Sequence, residues 1–101
     1  MSNILEITTP LGVKIVCSRE YWEYIVSIKH PIMMGKENLV STILEDPDEI
    51  RRSRIDADVY LHYRKVDRLY CVVAKQRDQN GFLITTYPTE KVKEGDTIWT
   101  K

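Results

Sequence analysis

Three alternating segments crowd the second half of the chain: ADVYLHYRKV (57–66), RLYCVVAKQ (68–76) and GFLITTY (81–87). The links between them, Val66-Asp67 and Asp78-Gln79-Asn80-Gly81, are too short for the crossover that parallel neighbours need. Asn-Gly is also a strong hairpin signal. These segments therefore read as consecutive antiparallel strands. In the first, Val59, Leu61 and Tyr63 share one face and Tyr60, His62 and Arg64 the other. In the second, Tyr70, Val72 and Ala74 oppose Leu69, Cys71, Val73 and Lys75. The third starts apolar on both faces, which suits a central strand.

The first half supplies a hairpin and a helical layer. ILEIT (4–8) and VKIVC (13–17) alternate as strands, with Pro10-Leu11-Gly12 as the turn between them. Ser18 is an N-cap for SREYWEYIVSIKH, which puts Tyr21, Trp22, Ile25 and Ile28 on one helical face. Pro31 stops this helix and leaves His30 as its last residue. PIMMGK is a loop, and ENLVSTILE is a second helix with Leu39, Val40, Ile43 and Leu44 as its buried stripe. Asp46-Pro47-Asp48-Glu49 has the form of a capping box, predicting a short helical segment to about Ser53. TIWTK at the end reads as an edge strand. The order is ββααβββ with a final strand, giving an antiparallel sheet of four to six strands with helices on one face, an α+β class. One domain spans 1–101: hairpin 4–17, helical layer 18–53, sheet 57–99.

Composition narrows the function classes. The chain carries 15 Lys/Arg and 15 Asp/Glu, unlike a strongly basic, non-specific nucleic-acid binder. The distribution is uneven: residues 1–50 hold four basic and eight acidic side chains, residues 51–101 eleven and seven. The second half can thus offer a local basic surface, or the halves can neutralise one another across the fold. There is no membrane-length apolar run and no secretory leader pattern, so the expected setting is cytoplasmic. Cys17 and Cys71 make no metal-ligand spacing and are expected reduced. No glycine-rich phosphate loop or carboxylate–histidine cluster appears, so no cofactor or metal is expected.

An antiparallel sheet with helices on one side leaves the other side free, and polar strand residues there become candidates. Arg64, Lys75, Thr85 and Tyr87 bring a guanidinium, an ammonium and two hydroxyls from three adjacent strands, a set suited to a phosphate. Such charges on strands also serve plain solubility, and Thr suits strands by shape. His62 reads as a surface histidine. His30, at a helix C-terminus, is expected to have a raised pKa, placing it to exchange a proton near neutrality, unless it only caps the last carbonyls.

In order, WEYIVSIKHP, TILEDPDEIRRS, VYLHYR, YCVVAK and GFLITTYPTEKVKEGDTIW, spread over residues 20–99, resemble the small phage-associated nucleases of the barnase–EndoU–colicin–RelE superfamily. The resemblance implies a helical layer on an antiparallel sheet and a metal-independent ribonuclease. In that reaction the ribose 2′-hydroxyl attacks phosphorus and leaves a 2′,3′-cyclic phosphate. His30 would be the acid or base, and Arg64 would hold the phosphate with added charge from Lys75. Thr85 and Tyr87 would bond the phosphate or orient the ribose. RNA is the implied partner, with an inhibitor or antitoxin protein as a second. The alternatives are a non-catalytic RNA- or protein-binding module of phage or mobile-element origin, and a self-associating structural protein.

Overall fold

A computed structural model describes residues 2–92 and 94–101. Strands β1 (Asn3–Thr8) and β2 (Lys14–Ser18) form the expected hairpin. Helix α1 (Arg19–Tyr24) follows at once, its Tyr21 N–H bonded to the Ser18 hydroxyl. It widens into a π-helical turn over Ile25–Lys29, and a 3₁₀ turn over Pro31–Met33 leads towards α2 (Glu37–Glu45). The rest is strand: β3 (Glu49–Arg52), β4 (Val59–Lys65), β5 (Leu69–Arg77), β6 (Asn80–Thr89) and β7 (Asp96–Thr100).

The class is α+β, but the sheet has seven strands rather than four to six, in the order β1-β2-β6-β5-β4-β3-β7. It is mixed rather than antiparallel, because β2 runs parallel to β6 over Lys14–Val16 and Asn80–Phe82. The expected short helix after Pro47 is strand β3 instead. A five-residue helix carries the full nucleation cost for one or two hydrogen bonds. The same residues pair with β4 on one side and β7 on the other, and they bury Ile50 completely. The ββααβββ order thus becomes ββααβββββ. The β5–β6 turn is centred on Asp78-Gln79, with Asp78 at positive φ, and Asn80-Gly81 already belong to β6.

The helices pack on the face that carries Ile15, Cys17, Tyr70, Val72, Ala74 and Leu83, with Trp22, Ile25, Met33, Val40, Ile43 and Leu44 as their buried side. The opposite face is not free along its whole length. Leu61, Tyr63, Cys71 and Val73 form a second buried cluster there, against which Ile84, Tyr87 and Val92 pack. Val92 lies in the connection that carries the chain from β6 across β5, β4 and β3 to β7. Gly95 permits this crossing to close on the sheet: it has φ +80°, and a Cβ there would lie 2.4 Å from the Arg52 carbonyl oxygen. The two cysteines sit in clusters on opposite faces and are both free thiols.

Gly81 has no such strained φ, but its α-carbon lies hard against β5. An added Cβ would meet the Lys75 carbonyl oxygen at 2.3 Å and the Gln76 Cα at 2.9 Å, both backbone atoms that cannot swing away. Gly81→Ala is expected to cost on the order of 3 kcal/mol, read as a lower urea midpoint. A midpoint equal to that of the unmodified protein would show that the β5–β6 hairpin opens more easily than this packing allows.

Candidate functional site

His30 ends the π-helical turn with φ −141° and ψ 76°, its backbone N–H bonded to the Ile25 carbonyl. The β2–β6 ladder reaches only as far as Phe82, and beyond it the helical segment runs beside β6. There the Tyr21 hydroxyl donates to the Ile84 carbonyl at 2.7 Å, and the His30 ring stacks, tilted by 41°, on the Tyr87 ring with centroids 5.2 Å apart. Two candidates separated by 57 positions in sequence are therefore neighbours. The His30 pKa, expected to be raised, lies below its ordinary value instead. Partial burial disfavours the imidazolium, and the Lys29 ammonium repels it. His30 is accordingly neutral at pH 7, the form that accepts a proton.

Tyr87 stands opposite Cys71, and Tyr63 is opposite Cys71 from the other side. Both phenols flank the Cys71 side chain across the strands, and the Glu94 carboxylate adds to the cost of ionising them. Burial drives the Cys71 pKa up to about 12 and both phenols well above their ordinary values, so none of the three ionises near neutrality. Tyr87 thus offers His30 a ring, while its hydroxyl points into the cluster. Thr85 shares the Tyr87 face, opposite Val73, and its Oγ1 is buried with no hydrogen-bond partner among the described residues. Thr86 faces the helices and donates to the Cys71 carbonyl at 2.9 Å.

Arg64 and Lys75 do not converge. Arg64 pairs with Tyr70 and Lys75 with Val59, five residues apart along both strands or about 17 Å. They also point to opposite faces, Arg64 with His62 to the helix side and Lys75 with Val73 and Cys71 away from it. Arg64 is already engaged: one guanidinium nitrogen binds the Asp46 carboxylate at 2.8 Å and donates to the Asp46 carbonyl at the C-terminus of α2. Lys101 reaches the same carboxylate at 3.0 Å, and this pair of cations holds the Asp46 carboxyl below its usual range. Lys75 lies 3.5 Å from Asp56. His62, expected at the surface, is fully buried on the helix side between Ile50 and Val72. A phosphate grip by Arg64 and Lys75 together therefore gives way to a His30–Tyr87 pair at one end of β6 and Lys75 near the other.

The sequence reading missed the acceptor for Arg64. In sequence Asp46 has the form of a helix N-cap, whereas it is the residue that closes α2, its N–H bonded to the Thr42 carbonyl. It also missed the Tyr63–Cys71–Tyr87 cluster, whose signal is the pairing register of β4, β5 and β6. Among the described residues, no group of three or more His, Cys, Asp or Glu is placed to hold a metal ion, and no helix is long and apolar enough to cross a membrane. No protein-family model matches this chain, and no curated protein or solved structure is detectably similar to it.

Proposed function

We propose that the protein is a metal-independent endoribonuclease in which His30 takes the proton from a ribose 2′-hydroxyl. The observation that carries this reading is the stacking of His30 on Tyr87 at 5.2 Å, which holds a neutral imidazole at an accessible end of the sheet. The 2′-oxygen then bonds to phosphorus, the bond to the 5′-oxygen breaks, and that oxygen leaves with a proton from water. Lys29, next to His30 in sequence, is the nearest candidate to offset charge on the phosphate. Arg64 can serve only by leaving Asp46, and Lys75 acts elsewhere on the strand if it acts on RNA at all. The test is pure protein with a mixed-sequence RNA in excess chelator. Cleavage with 2′,3′-cyclic phosphate ends is the expected result; intact RNA at equimolar enzyme would overturn the reading.

A second reading, a non-catalytic module that docks a protein, is favoured by one observation. Tyr24, Ile28, Ile32 and Met34, on successive turns of the helical layer, are 45 to 69 % exposed. Large apolar side chains left exposed close together in sequence are candidates for an interaction site. Under this reading no RNA is turned over at any enzyme concentration. Under the first, the same surface is where an inhibitor or antitoxin would seat.

A further inference from the structure

The face of the sheet away from the helices is closed over Cys71 and Tyr63 but open at its other end. Phe82 stands there with 52 % of its surface exposed, an unusual place for the only phenylalanine of the chain. Its cross-strand neighbours on that face are Lys75 on β5 and Val16 on β2. The next pair on the same face, two positions along, brings Arg77, Asn80 and Lys14. Lys75, Arg77, Asn80 and Phe82, with Gln76 and Gly81, line a cleft of about 320 Å³, within the size range of small-molecule sites. Gln76, between Lys75 and Arg77 on β5, turns its side chain to the helix side with Ala74, so it borders the cleft without facing into it.

We infer that this cleft is a subsite for one nucleotide of single-stranded RNA, with the base stacked on Phe82 and its phosphates held by Lys75 and Arg77. An exposed ring flanked by cations is the common platform for unpaired bases, since every base presents a π-face. Asn80, across from Arg77 on the same face, supplies amide donors and acceptors for a base edge. The cations are not idle: Lys75 faces Asp56 at 3.5 Å, Arg77 faces Asp58 at 3.4 Å, and Lys14 pairs with Glu6 at 2.8 Å. These are surface ion pairs that contribute little to stability, so a phosphate can take over Lys75 and Arg77 at small cost. Phe82 and Tyr87 lie on the same face of β6, about 15 Å apart, so a strand of RNA laid along β6 joins the cleft to His30. The choice of RNA rests on the ribonuclease reading.

The experiment is fluorescence anisotropy with a labelled, unstructured 2′-O-methyl RNA 10-mer, which cannot be cleaved through its 2′-oxygen. Phe82→Ala is expected to weaken binding by roughly 5- to 150-fold, with Phe82→Tyr restoring it. Arg77→Gln is expected to lower the slope of log affinity against log salt by about 0.7. Wild-type binding that is absent, or unchanged in Phe82→Ala, overturns the subsite. The two readings separate by cleavage of unmodified RNA. Cleavage with a KM indifferent to Phe82→Ala removes the subsite and leaves the nuclease. Phe82-dependent binding without cleavage removes the nuclease and leaves the subsite.

Discussion

Between pH 7 and pH 4 the folded protein is expected to lose about 3 kcal/mol of stability through a single side chain, His62. The ring is fully buried, and Nδ1 lies 3.0 Å from the Val72 carbonyl, which can only accept, so Nδ1 carries the proton. Nε2 is then a bare acceptor with no partner among the described residues. Protonating it would place an unpaired cation in the sheet, and burial lowers the pKa from 6.5 to about 4. The unfolded chain binds this proton at about pH 6.5 and the folded chain only near pH 4, so stability falls as pH drops through that window. A difference of this size corresponds to about 3 kcal/mol once both forms are protonated. His30, also lowered, adds a smaller loss of the same sign. Carboxylates held low by cations, such as Asp46 and Asp96, lose their contribution mainly at more acid pH and overlap only the acid end of this window. His62→Gln keeps a neutral donor for Val72 and should flatten the curve from pH 6.5 to 4. A His62→Gln curve that falls in parallel with the unmodified one would refute this assignment.

His30→Ala is expected to lower the cleavage rate by about 10² to 10⁴, the usual contribution of a positioned proton acceptor. The fold should survive it, because the side chain is only half-buried and packs on one ring. The rate of the unmodified enzyme should rise with pH through a midpoint below the ordinary histidine value, since His30 must be neutral to act and its pKa is lowered. Tyr87→Phe keeps the stacked ring and should retain most of the rate. Tyr87→Ala should lose it and move the His30 limb of the pH profile upward, because the ring that helps bury the imidazole is gone. An unchanged rate in His30→Ala would leave the His30–Tyr87 contact as packing alone.

Much of this arrangement was legible in the residues. The alternation in 57–87 located β4, β5 and β6, and Ser18 and Pro31 bounded the first helical segment. Chemistry at the tip of β6 was harder to place, because it turns on a bulge. Arg77 pairs with Asn80 and Ala74 with Leu83, but Val73 pairs with Thr85, so the register slips by one residue at Ile84. Without that slip Tyr87 would stand opposite Tyr70 and face the helices, since one residue of shift exchanges the faces of a strand. No residue type in GFLITTY announces it. The parallel β2–β6 pair was equally hidden, because it joins segments some 65 positions apart and no local turn encodes it. Arg64 misled for another reason: a strand guanidinium looks the same whether its carboxylate is a ligand's or, as with Asp46, the protein's own.

The sheet order has a consequence for how the molecule assembles. The opening hairpin cannot join the sheet until β6 exists to receive β2, and β3 has both neighbours only when residues from the last strand arrive. Non-local pairings of this kind slow folding, since chain closure precedes the contacts that reward it. A peptide of residues 1–57 would therefore hold a hairpin and helices with no scaffold, and the imidazole at position 30 would have no ring to rest on. Mixed with a peptide of residues 58–101, it should regain both at once, making split halves a direct readout of whether the two ends of the chain cooperate.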